Sequence, residues 1–62
     1  MADTQRQRLE AREEAILAAA TAVFGDSGVD GARMAEIARR ADVAEGTVYL
    51  YYTNKHELLE AV

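Results

Sequence analysis

The sequence predicts an all-α protein, a small helical bundle built on a helix-turn-helix: three helices and the start of a fourth. Three observations carry this. Leu9, Ile16, Ala20, Val23 and Phe24, with Leu17 beside them, form one apolar stripe of helical period, and Met34, Ile37, Ala38 and Ala41 form a second at i, i+3, i+4 and i+7. Gly28, Asp42 and Asn54 punctuate the chain after or between the periodic stretches, each a residue type suited to ending or starting a helix. Within residues 34–52 the stripe ending at Ala41 and the apolar pair Val48 and Tyr52 lie so close together that only a tight turn can join their helices.

Taken in order, residues 1–7 have no periodicity and are expected to form a flexible tail. Helix one should run from about Arg8 to Asp26, with Glu10, Glu13 and Glu14 early, where the helix dipole favours acids, and with Phe24 at the centre of the core. Gly28 can take the left-handed conformation that ends a helix, and GVDG is expected to form a loop. Helix two, near 33–40, turns Glu36, Arg39 and Arg40 away from its core face, and the single methyl of Ala38 lets another helix cross closely above it. The turn is expected at Ala41–Ala44, Asp42 being one of the few residues besides Gly that tolerate the left-handed region.

Helix three, near 45–51, sets Val48 and Tyr52 toward the core and leaves Glu45, Thr47, Tyr49, Leu50 and Tyr51 wholly or partly outward. Of the three tyrosines, a purely aromatic-core reading fits Tyr52 well, Tyr49 partly and Tyr51 least. Helix four, near 54–62, opens on a capping-box signature, Asn54 followed by Glu57, and has Leu58, Leu59 and Val62 as its apolar side. Phe24, Ile37, Ala38, Val43, Val48 and Tyr52 are the residues expected to be buried together.

Composition bounds what such a bundle can do. With 62 residues and neither Pro nor Cys, the chain is at most one small domain of modest stability, with no disulfide and no thiolate metal site. A lone histidine, His56, cannot hold a metal and reads as a surface residue, so no cofactor is expected. No apolar run approaches a membrane span, and MADTQRQR is not followed by a signal-peptide core, so a cytoplasmic protein without membrane attachment is the simplest expectation. No Ser/His/Asp or Cys/His set and no glycine-rich phosphate loop supports an enzyme.

The segment IARRADVAEGTVYLYYTNKHELLEAV resembles the DNA-binding segment of TetR-type transcriptional regulators, whose pattern is roughly I-A-x-x-A-G-V-[ST]-x-G-[ST]-[LIV]-Y-x-[YH]-F-x-[ST]-K-x-x-L. Ile37, Ala38, Ala41, Val43, Gly46, Thr47, Val48, Tyr49, Tyr51, Lys55 and Leu58 match it. Upstream, Ile16, Leu17, Ala19, Ala20, Phe24 and Gly28 match that family's first helix, so the resemblance covers about residues 12–62. It implies a homeodomain-like helix-turn-helix head over 8–53 and, over 54–62, the start of a connecting helix. It further implies a ligand-responsive repressor that binds a palindromic operator in double-stranded DNA as a homodimer. The chain stops at Val62 with no helix-stop signal, so a longer regulator is expected, with the dimer interface and the small-molecule effector site in regions absent here.

On this reading the recognition helix lies in the major groove and the expected DNA-binding residues are Arg33, Glu45, Gly46, Thr47, Tyr49, Leu50, Tyr51 and Lys55. Gly46 permits close approach to the sugar-phosphate wall, and Thr47 and Leu50 are short groups suited to base edges and thymine methyls. Tyr49 and Tyr51 have hydroxyl reach to phosphate. The family uses the lysine that matches Lys55 on a phosphate, and the resemblance assigns Lys55 the same role. Arg33 stands, with Ala32, where the family carries a hydroxyl cap; it either replaces a phosphate contact or is a solvated helix-start residue, and Asp30 is the candidate cap. Glu45 either accepts from a cytosine amino group or, more plainly, favours the start of helix three. Arg6 and Arg8 either reach DNA as a basic arm or, more plainly, are solvated.

Net charge is −4, which opposes phosphate attraction, although the acids lie mostly outside residues 32–56, where three Arg and one Lys face three acids. That balance is the best support for a second class of function, a helical protein-interaction module using the same aromatic face.

Overall fold

A computed structural model describes residues 2–62, with side chains from Thr4 onward; Met1 of the expected tail lies outside the described residues. Four helices follow one another: α1 (Ala2–Gly31), α2 (Met34–Ala41), α3 (Glu45–Tyr51) and α4 (Lys55–Ala61). Helix α1 packs on α2 and α4, and α2 packs on α3.

The first helix begins at Ala2 rather than near Arg8. Periodicity was the wrong test for this end. ADTQRQRLEAREE contains no Gly or Pro and is rich in Ala, Gln, Arg, Leu and Glu, so propensity extends the helix where packing does not. Thr4–Arg12 are accordingly all exposed, Leu9 (48% exposed) does not join the core, and the molecule is drawn out to 40 × 20 × 18 Å. At the other end Gly28 has φ 72° and ψ 169°, a conformation essentially reserved for glycine. The sign of φ is as expected, but ψ 169° is not that of the left-handed helix-ending conformation, and the residues beyond it form another helical turn, 29–31, in place of an open loop.

The core is Ile16, Ala19, Ala20, Val23, Ala32, Met34, Ile37, Ala38, Val48 and Leu58. Phe24 is only half-buried at its margin, as are Val43 and Tyr52. The helical wheel explains Phe24: at about 100° per residue Val23 falls back almost directly over Ile16, whereas Phe24 overshoots by about 80°. Leu59 and Val62, expected on the apolar side of α4, are 42% and 52% exposed, and Leu58 alone on that helix is buried.

The turn between α2 and α3 is built as its sequence predicts. Asp42 takes the left-handed conformation (φ 59°, ψ 44°), its amide donates to the Arg39 carbonyl at 3.2 Å and the Val43 amide donates to the Ala38 carbonyl at 3.0 Å. This pair of bonds is the Schellman arrangement, and Val43 folds back onto the core beside it. Three residues therefore reverse the chain between the helices, and the register of α3 is fixed by α2.

At α4 the Asn54 side chain accepts from the Glu57 amide at 3.0 Å, while the Glu57 carboxylate accepts from the amide and hydroxyl of Thr53 at 2.8 and 2.6 Å. Those Thr53 bonds, the hydroxyl's foremost, hold the Glu57 carboxyl below its usual range. The start of α2 has no such cap: Arg33 occupies the capping position with extended backbone and no side-chain bond, so Asp30 does not serve.

Candidate nucleic-acid interface

Helix α3 divides its residues by angle. Val48 is fully buried and Tyr51, three residues on, lies on the same side and packs against the core. Glu45, Gly46, Tyr49 and Leu50 fall on the opposite arc of about 140° and are exposed, with Thr47 half-buried at its edge. Leu50 is 84% exposed and Tyr49 46%.

The tyrosines do not divide as expected. Tyr51 is directed inward, and its hydroxyl donates to the Leu9 carbonyl of α1 at 3.3 Å; Tyr49, expected to be partly core, is the outward one. Tyr51 stands three residues beyond Val48 on the helix, so the i+3 spacing turns it inward, while Tyr52, whose amide still donates to the Val48 carbonyl at 2.9 Å, has extended backbone (φ −140°, ψ 127°). Tyr52 still reaches α1, where its hydroxyl donates to the Glu13 carboxylate at 2.7 Å.

Burial first, and then this bond to Glu13, push the Tyr52 phenol up to about 12 from the ordinary 10. A raised phenol pKa means that the folded state holds its proton more tightly. The Tyr52 contribution to stability is thus complete below pH 10 and lost as pH rises from 10 to about 12. An alkaline titration followed by circular dichroism should show this loss, and Tyr52→Phe should remove that part of it; an identical alkaline profile for the variant would refute the assignment.

The charges around the reading head are largely paired. Arg39 donates to Glu36 through Nε and Nη2 at 3.0 and 2.6 Å, and Arg40 joins Glu36 at 3.4 Å and Asp26 of α1 at 2.8 Å. The Arg39 hydrogen bond, foremost among several causes, holds the Glu36 carboxyl below its usual range. Two of the four cations in residues 32–56 thus serve α2 and its contact with α1. Arg33 is exposed and makes no side-chain cap bond at the start of α2. Lys55, expected to reach outward, is turned inward, its ammonium donating to the carbonyls of Asp30 and Ala32 at 3.2 and 3.1 Å. Of the expected residues, the structure therefore gathers Glu45, Gly46, Thr47, Tyr49 and Leu50 on one helix face, leaves Arg33 exposed on α2, and commits Tyr51 and Lys55 to internal contacts.

Sequence reasoning overlooked the inward role of Lys55. The last turn of α1 has no basic residue of its own, but nothing local in the sequence places Lys55 beside it. Among the described residues no group of His, Cys, Asp or Glu is placed to hold a metal ion, and no helix is long and apolar enough to cross a membrane.

A helix pair joined by a three-residue turn, whose second helix exposes an apolar and hydroxyl-bearing face, defines a helix-turn-helix module. Residues 16–62 match the model of the tetR family of bacterial regulatory proteins, and the chain belongs to that family. It is a DNA-binding regulatory module, not an enzyme. Among similar curated proteins, the helix-turn-helix regulator YvdT of Bacillus subtilis is 41% identical over 79% of this chain and 25% of its own length. SrpR of Pseudomonas putida is 39% identical over 100% of this chain and 29% of its own. The transcriptional repressor KstR of Mycolicibacterium smegmatis is 42% identical over 77% and 24%. The chain spans about a quarter of the length of most of the curated relatives it matches. No solved structure matches it significantly.

Proposed function

We propose that this chain is the N-terminal DNA-binding head of a ligand-responsive transcriptional repressor, and that it reads operator DNA by laying α3 in the major groove. The observation that carries the reading is the exposed arc of α3. A domain short of apolar surface leaves Leu50 84% exposed beside Tyr49 on the one helix that the Schellman turn locks to α2. An outward leucine adds nothing to this fold, but it matches a thymine methyl.

Thr47 and Leu50 then contact base edges, Gly46 admits the sugar-phosphate wall, and Tyr49 and Arg33 supply phosphate contacts. Glu45 favours the start of α3, and acceptance from a cytosine amino group is its alternative role. The KstR relative is a repressor by name, which supports repression here. A palindromic operator, a homodimer, a small-molecule effector held outside these residues and a cytoplasmic site of action complete the proposal.

Few cations are free on this face, so salt dependence should be shallow for a DNA-binding protein. The test is selection from a random duplex pool followed by a salt titration of the selected and a scrambled duplex. A reproducible preference with a measurable negative salt slope is expected. No preference in the pool would favour the second reading, a protein-interaction module using the same Tyr49 and Leu50 face, for which the acidic balance is the support.

A further inference from the structure

We propose that Tyr52 and Glu13 are positioning residues for reading DNA: their bond fastens the carboxyl-terminal end of α3 to α1 and so sets the direction in which Tyr49 and Leu50 face the bases. The proposal rests on the major-groove reading above and deepens it, by naming two residues that set sequence preference without touching DNA. Helix α3 is seven residues long and has a single buried residue, Val48. One point of packing restrains neither the roll nor the tilt of a two-turn helix. The amino-terminal end is restrained by the Schellman turn that joins it to α2. The other end has no such turn, since Tyr52 leaves the helix with extended backbone.

Two hydroxyls tie that end to α1. Tyr52 donates to the Glu13 carboxylate at 2.7 Å, and Tyr51 beside it donates to the Leu9 carbonyl, one turn of α1 away, at 3.3 Å. The Tyr52 bond is the stronger of the two, because its acceptor is charged. It joins residues 39 positions apart, so it constrains how two helices sit and not the shape of either. The TetR-type pattern carries Phe where this chain has Tyr52, and a phenylalanine can hold the end of α3 only by packing. Here the ring is half-buried at the margin of a core that includes four alanines, and the hydroxyl supplies the hold that packing does not. Base-edge contacts tolerate a misplacement of only about 0.5 Å, whereas attraction to phosphate falls off slowly with distance. Loosening this end of α3 therefore removes sequence preference before it removes affinity for DNA in general.

The test is a double-mutant cycle in which the quantity read is the ratio of affinities for the selected and the scrambled duplex. That ratio cancels the uniform gain in phosphate attraction that comes from removing an acid. Tyr52→Phe keeps the ring and removes the hydroxyl, Glu13→Ala removes the acceptor, and Glu13→Gln keeps an acceptor without the charge. Tyr52→Phe and Glu13→Ala should each lower the ratio roughly fivefold, and the double variant should lower it no further than either alone. Glu13→Gln should keep most of it. The salt slope of Tyr52→Phe should equal that of the wild type, since no phosphate contact is lost.

An unchanged ratio in Tyr52→Phe would overturn the proposal, and so would losses that add in the double variant. Equal loss on both duplexes in Tyr52→Phe would mark the hydroxyl as a phosphate contact or as a bond that serves folding alone, and would overturn it as well. Should Glu13→Ala fail to fold, the other two singles decide: Tyr52→Phe must lower the ratio and Glu13→Gln must keep it, and either failure counts against the proposal. Absence of any duplex preference in the wild type sinks the major-groove reading itself, whereas a wild-type preference that Tyr52→Phe retains in full sinks only this proposal.

Discussion

Ile37→Ala is expected to leave the domain largely unfolded at room temperature. Ile37 is fully buried in α2, which packs against both α1 and α3. Truncating a buried isoleucine to alanine costs about 2–5 kcal/mol, the lost transfer energy plus a cavity that the neighbours only partly fill. A single small core rarely supplies more than about 3–5 kcal/mol in total. Here it is especially thin, because four of its members are alanines among Ile16, Val23, Ile37, Val48 and Leu58. A thermal melt followed by far-ultraviolet circular dichroism should show no cooperative transition for Ile37→Ala. Phe24→Ala, at the core margin, should retain one at lower temperature. If Phe24→Ala proved the more damaging, the core would be centred on the aromatic ring and the packing described here would be wrong.

The second large effect falls on binding. Thr47→Ala and Leu50→Ala should each cost roughly 1–3 kcal/mol on the selected duplex, cost little on scrambled DNA and leave the salt slope unchanged, as loss of a base-edge contact does. Leu50 is a clean probe because, at 84% exposure, its truncation removes little buried area and should leave the melting temperature in place. Arg33→Ala should do the opposite: it should weaken both duplexes alike and make the slope shallower by about 0.9, the mark of one lost phosphate contact. The measurement is a salt titration of these variants on both duplexes. Sequence preference altered by Arg33→Ala but not by the α3 substitutions would reverse the roles.

Much of this fold is legible in the sequence because it depends on local chemistry. Asp42 announces a left-handed turn, Asn54 with Glu57 announces the start of α4, and the spacing of Met34, Ile37 and Ala38 gives the buried face of α2. What was not legible depends on where helices stop and on which groups meet across the fold. The N-terminal stretch of α1 has no apolar stripe yet remains helical, since nothing in it breaks a helix. Tyr52 turns to extended backbone at the end of α3, a boundary that no periodicity argument resolves to a single residue. Lys55 looks like a surface lysine until the carbonyls at the end of α1, more than twenty positions earlier in the chain, are brought to it. The candidate site was half visible for the same reason: the exposed arc of α3 and the inward side of Tyr51 follow from helical angle, but the inward turn of Lys55 is tertiary.

The central claim, that α3 enters the major groove with Leu50 and Thr47 toward the bases, is tested most directly by nuclear Overhauser contacts between the isotopically labelled protein and its selected duplex. The account predicts contacts from the Leu50 δ-methyls and the Thr47 γ-methyl to thymine methyl or cytosine H5 protons, which lie only in the major groove. Contacts from those methyls to minor-groove sugar protons instead, or none while shifts gather on the α1 face around Leu9 and Tyr51, would contradict it.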